Sequence, residues 1–118
     1  MNVEVDPEAE GELRALPAAE RAAMQHAFEK LEVYGDRLPF PHSSRVKGAP
    51  QLRELRPRAG RSPWRAFYRR VVGSLVIGAI GPEARVDPRG FGRAIGAAEA
   101  RLARLEQERR GHDADPST

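Results

Sequence analysis

Cysteine is absent from the 118 residues. That excludes a disulfide scaffold, a thiolate zinc site, an iron–sulfur cluster and a cysteine nucleophile, and it fits a reducing compartment. Long apolar runs are missing too. The longest, Leu75 to Ile80, is far short of the roughly 20 residues needed to cross a bilayer. The amino terminus, MNVEVDPEAE, is acidic and has no apolar stretch of signal-peptide length. The expectation is a soluble, cytoplasmic protein with no membrane partner. Histidine is scarce: His26, His42 and His112 show no ligand spacing. Glu54 and Glu83, the acids nearest the strands, form no recognisable carboxylate cluster, so neither a metal nor a cofactor is expected. No GxSxG or phosphate-loop motif occurs.

What is present is a chain of single-domain size, long enough to bury roughly two-thirds of its unfolded surface in one core. Residues 1–110 are expected to form that domain, and 111–118, ending in HDADPST, a disordered tail. The basic side chains are 18 Arg and 2 Lys, which GC-rich coding and a use for planar guanidinium groups explain equally well. Charge is unevenly spread. Residues 1–36 carry nine acids and three bases, net −6, whereas residues 45–70 carry nine bases and one acid, net +8. Such a block is either a footprint for a polyanion, with nucleic acid the leading candidate, or a solvated arginine-rich face.

Periodicity orders the chain. Val3 to Val5 is β-like, and Asp6 can cap a helix with Pro7 at its first position and Glu8 and Glu10 in its first turn. Pro17 starts a second helix, whose stripe of Ala19, Ala23, Ala27, Leu31 and Tyr34 stops at Gly35. Leu38 to Pro50, with three prolines and a glycine, is expected to be an ordered connector, neither helix nor central strand. Three strands follow, Leu52 to Arg56, Trp64 to Val72 and Ser74 to Ile80, the last apolar on both faces as a covered central strand would be. In the second, Trp64, Ala66 and Tyr68 share one face and Arg65, Phe67 and Arg69 the other. Phe91, Ile95, Ala98, Leu102 and Leu105 mark a closing amphipathic helix. The fold class is therefore α+β, with a helical hairpin and a closing helix packed on an antiparallel sheet.

Arginine, lysine, tyrosine and one loop histidine are the chemistry that remains. They suffice for metal-free RNA cleavage, in which the substrate's own 2′-hydroxyl attacks the adjacent phosphate while cations compensate the developing charge and an aromatic stacks the neighbouring base.

The stretch Leu31 to Arg69, L..YG..LPFPHSSRVKG...LRELRP..G..PWRAFYR, resembles the RelE/ParE superfamily of toxins from type II toxin–antitoxin modules, in particular its HigB-like, phage-associated branch. The likeness spans roughly residues 10–105, and its most specific parts are Lys47-Gly48, Glu54-Leu55-Arg56 and Arg65. The resemblance implies a RelE-like fold and a ribosome-dependent mRNA endonuclease that inhibits translation and is held by a cognate helix-turn-helix antitoxin. Arg56 and Arg65 would then bind the scissile phosphate, and Lys47 would assist at the RNA backbone. The branch commonly has a Gly-Gly-x-Lys-like turn after the central strand. Gly81-Pro82-Glu83-Ala84-Arg85 stands here instead, with an acid in place of the lysine and Arg85 as its possible substitute. Two alternatives stay open on the same fold: a ParE-like gyrase poison, and a catalytically inactive RNA-binding or interaction module.

The candidate catalytic set is Arg56, Arg65, Lys47, Arg85 and Tyr68, and the candidate RNA contacts are Arg45, Arg53, Arg58, Arg61, Arg69 and His42. Each has a plainer reading. Arg56 and Arg65 could be solvated strand arginines, Tyr68 a core aromatic, and His42 an ordinary loop histidine. Glu54 either orients Arg56 or pairs with Arg53, and pairing is the expectation. Trp64 is a base platform, a core residue or an antitoxin contact.

Overall fold

A computed structural model describes residues 1–113. The chain runs β1 (Val3–Val5), α1 (Pro7–Arg14), α2 (Ala18–Tyr34), β2 (Ser43–Val46), β3 (Ala49–Leu55), β4 (Trp64–Val71), β5 (Ser74–Pro82) and α3 (Pro88–Asp113). Asp6 caps α1 as its sequence indicates, its carboxylate accepting from the backbone N–H of Glu8 and Ala9 at 2.9 and 3.3 Å. Gly35 ends α2 with φ +54°, a conformation that favours glycine.

The five strands lie in the order β1-β5-β4-β3-β2. Pairing is antiparallel from β5 through β2, but β1 joins β5 in parallel, so the sheet is mixed where an antiparallel one was expected. The parallel strand follows from the connection: the α1–α2 hairpin and the intervening strands carry the chain back before β5 is laid beside β1. β1 covers only Leu75–Ile77 of β5. Beyond it the strand edge is closed by side chains. The Glu12 carboxylate accepts from the Ile80 N–H at 3.0 Å, and Arg101 donates to the Gly78 carbonyl at 3.0 Å while also pairing with Glu12.

Two cores lie on opposite faces of the sheet. Ala9, Leu13, Met24, Phe28 and Leu31 of α1 and α2 pack on Leu55, Ala66, Tyr68, Leu75 and Ile77. Ala94, Ala98 and Leu102 of α3 pack on Leu52, Phe67, Val71, Val76 and Ala79. β5 is buried on both sides, in keeping with its doubly apolar sequence. At Gly78 the register slips by one residue, since Phe67 pairs with Ala79 and Tyr68 with Ile77. A Cβ on Gly78 would stand 2.8 Å from Leu102 Cγ, so the glycine is what lets α3 close on the sheet.

Two further expectations are revised. The proline-rich connector contains an edge strand, β2, joined to β3 through a turn at Lys47-Gly48. Its middle residues, Ser44 and Arg45, are polar and not buried, so an edge strand of this kind carries little apolar signal. α3 runs through Asp113, three residues into the segment read as a tail, with Arg110 paired to Glu106 one turn earlier. The rest of that segment, 114–118, lies outside the described residues.

Candidate functional site

The turn between β3 and β4, Pro57–Gly60, is the most strained piece of backbone near the arginine-rich strands. Arg58 and Ala59 both adopt left-handed φ, +54° and +56°, and Gly60 follows at +92°. Non-glycine residues in that region cost on the order of 1–3 kcal/mol each, so surrounding contacts must hold them. Glu20 of α2 does so. Its carboxylate takes two hydrogen bonds from Arg58, at 2.6 and 2.7 Å, and one from Ser62 at 2.9 Å. The Arg58 hydrogen bonds hold the Glu20 carboxyl below its ordinary value despite some desolvation.

That turn shapes the place of Arg56. A Cβ on Gly60 would lie 2.9 Å from one Arg56 terminal nitrogen, so the guanidinium lies directly over the glycine. Arg56 Nη1 donates to Glu54 Oε1 at 2.7 Å, and the Arg56 guanidinium carbon is 5.4 Å from the centre of the Phe40 ring. Ser44 donates to the same Glu54 oxygen at 3.2 Å. Glu54 thus orients Arg56, contrary to the expected pairing with Arg53. Arg53 extends from the opposite side of β3 and donates from Nε to Ser43 Oγ at 3.0 Å.

Arg65 is buried, at 2% exposure, beneath this group. Its terminal nitrogens donate to the carbonyls of Ser62, Trp64 and Gly60 and, at 2.6 Å, to Glu83 Oε2. Its Nε lies 3.9 Å from Glu54 Oε1 without a hydrogen bond. Burial pulls the guanidinium below its ordinary value and the Arg56 charge adds to this, while Glu54 and Glu83 oppose both. Arg65 is therefore a cation built into the floor that holds Glu83, while its charge faces Glu54 at 3.9 Å.

Above it opens a cleft of about 650 Å³ lined by Arg45, Lys47, Glu54, Arg56, Arg65, Glu83, Arg85 and Phe91, among others. Four of the five proposed catalytic residues, Lys47, Arg56, Arg65 and Arg85, meet there, together with Arg45. Five cations against two carboxylates leave a formal excess of three positive charges. Each comes from a different place: Arg45 from β2, Lys47 from its turn, Arg56 from the end of β3, Arg65 from β4, Arg85 from the segment after β5. Glu83, in the segment after β5, is the partner of Arg65.

The other candidates lie elsewhere. Tyr68 is core, 2% exposed, with its hydroxyl 2.6 Å from Ser43 Oγ on the hairpin side of the sheet, where a base cannot reach it. Arg58 is engaged by Glu20, and Arg69 by Glu106 of α3 at 3.1 Å. Arg61 is exposed on the strained turn and donates to the Arg58 carbonyl. His42 lines a small pocket on the other side of Arg56, with His26, Lys30 and Arg58. Trp64 packs against the hairpin core and lines a separate groove with Val86 and Ala97. Phe40 was not singled out by sequence reasoning. Its signal was its place between Pro39 and Pro41, which keeps the ring out of helix and strand and presents it from a loop.

Among the described residues no group of three or more histidine, aspartate or glutamate side chains is placed to hold a metal. No helix among them is long and apolar enough to cross a membrane.

A mixed five-stranded sheet with a helical hairpin on one face and a long helix on the other, opening to a basic cleft, is a RelE-type fold. An arginine double mutant of the E. coli toxin RelE, solved in the free state, is similar to this chain with a TM-score of 0.55 at 16% identity, over 80% of this chain and 94% of that one. The family described as phage-derived protein Gp49-like (DUF891) matches residues 11–79, more than half of the sequence, and the chain belongs to it. No curated protein sequence matches.

Proposed function

We propose that this protein is the toxin of a toxin–antitoxin module and a metal-independent endonuclease that cuts mRNA on the ribosome. Family membership and fold support the toxin role. The observation that carries the nuclease reading is the cleft, where Arg45, Lys47, Arg56 and Arg85 surround two carboxylates, Glu83 fixed by the buried Arg65 and Glu54 by Arg56 and Ser44.

The chemistry follows from those groups. A carboxylate removes the proton of the substrate's 2′-hydroxyl, the oxygen attacks the adjacent phosphorus, and the bond to the 5′-oxygen breaks. The upstream fragment keeps a 2′,3′-cyclic phosphate and the downstream one a 5′-hydroxyl, the leaving oxygen taking a proton from solvent while the carboxylate releases to solvent the one it accepted. Arg56 and Lys47 compensate the charge that accumulates on the phosphate oxygens. Neither histidine nor tyrosine lines the cleft, so the carboxylates of Glu54 and Glu83 are the groups there that can accept a proton. Glu54 is tied to Arg56, Ser44 and Arg65, whereas Glu83 has one hydrogen-bond partner and more open surface. Glu83 is the base in this reading.

The test is expression without the antitoxin, with end-group analysis of cellular mRNA. Wild type should arrest growth and leave cyclic-phosphate ends, and Arg56→Ala should lower cleavage by about 10²–10³ while retaining its circular dichroism spectrum. Growth arrest with intact mRNA and broken DNA would overturn the nuclease reading in favour of a gyrase poison.

A further inference from the structure

Phe40 is 71% exposed, a large apolar side chain left in water. Its loop is fixed on both sides. Leu38 is buried, the His42 and Ser43 N–H groups bond to the Pro39 carbonyl at 2.9 and 3.1 Å, and the Arg56 N–H bonds to the His42 carbonyl at 2.8 Å. The ring is thus presented from a pinned backbone beside Arg56. Arg56 also lines both the cleft and the smaller pocket of His26, Lys30, His42 and Arg58. Basic groups therefore continue from the cleft through Arg56 onto the surface of α2, where Arg58 is paired with Glu20 and His26 lies 3.5 Å from Glu29.

We propose that Phe40 is a base-stacking platform, on which an unpaired nucleobase of the RNA lies while the adjoining phosphate takes Arg56. This rests on the nuclease reading above. Exposure of the ring lets a planar base cover it with little reorganisation, and the contact to Arg56 fixes the distance between the base and phosphate positions. A strand so held leaves the cleft toward Lys30, which supplies a cation for the next phosphate, with His42 beside it as a hydrogen-bonding group.

The test is single-turnover cleavage on ribosomes programmed with synthetic mRNA, with one abasic nucleotide moved stepwise through the cleaved codon. Stacking is worth about 1–3 kcal/mol per base, so Phe40→Ala should slow cleavage of intact mRNA or raise the half-saturating toxin concentration roughly 5- to 150-fold. Phe40→Trp should restore wild-type behaviour and Phe40→Leu should not. At one position the abasic substitution should slow wild type to the level of Phe40→Ala and leave Phe40→Ala unaffected. Unchanged cleavage by Phe40→Ala, full rescue by Phe40→Leu, or additive losses at every abasic position would each overturn the platform while the nuclease reading stood. Intact mRNA with the wild-type protein would overturn that reading and the platform together.

Discussion

Arg65 and Glu83 meet at 2.6 Å across the floor of the cleft, the arginine buried and the glutamate a quarter exposed. The pair joins the start of β4 to the segment that follows β5. A lysine in place of Glu83 would set a second cation against the guanidinium and leave its terminal nitrogen without a carboxylate partner. A buried guanidinium holding a carboxylate at the rim turns a charge in the fold into a fixed direction at the site.

Removing Arg65 should therefore act on the fold before it acts on chemistry. Breaking a buried pair by deleting one partner costs about 3–5 kcal/mol, and Arg65 also satisfies three carbonyls. We expect Arg65→Ala to lower the thermal midpoint on the order of 10 °C or more, whereas Arg56→Ala shifts it little. Equal midpoints for the two variants, by differential scanning fluorimetry, would return Arg65 to the role of a solvated strand cation.

Much of the architecture was legible because periodicity reports burial. The doubly apolar β5, the capped α1 and the stripe of α3 are examples. Strand alternation also put Arg65 on the correct face, yet it gave no depth. Arg65 stands opposite Gly81 near the end of β5, and its side chain there depends on a contact with Glu83, 18 residues away. Tyr68 shows the reverse. Its face was legible, and the hairpin core on that face is what denies it to a substrate. The edge strand β2 escaped because it is short and polar, and Phe40 because loop residues carry no period to read.

Gly60→Ala tests whether the strained turn serves the site. The new methyl would meet Arg56 at 2.9 Å, against the end of a flexible side chain, and the φ of +92° disfavours any L-residue. Arg56 should swing away from Glu54 and Phe40. Cleavage is expected to fall at least tenfold, with a stability loss of roughly 1–2 kcal/mol from the backbone. A variant that loses stability but keeps the wild-type rate would show that Arg56 does not need the bare glycine beneath it.

Acid should loosen the same turn. Glu20 has a folded-state pKa held below its ordinary 4.5, chiefly by Arg58, and Glu4 is lowered likewise by Arg109. Depressed carboxylate values mean stability that is complete above about 4.5 and lost as pH falls through the folded-state values. In urea titrations, wild type should hold its midpoint from neutrality down to that region and then decline. Glu20→Gln should be less stable than wild type near neutrality, and the two curves should converge in acid. A gap independent of pH would mean that the Glu20 charge contributes nothing to the turn.

Glu83→Gln keeps the shape and a hydrogen-bond acceptor for Arg65 while removing the ability to take a proton. If Glu83 is the base, kcat should drop about 10²–10⁴ and KM should stay within a few-fold. Residual product should still end in cyclic phosphate, since the attacking group is unchanged. Glu54→Gln should behave differently, raising KM as well, because Glu54 orients Arg56, the residue proposed to take the phosphate. The buried Arg65 loses a compensating charge in both variants, so each rate is compared at a temperature where circular dichroism shows the variant folded. Wild-type kcat in Glu83→Gln would pass the role of base to Glu54 and leave Glu83 as a structural partner of Arg65.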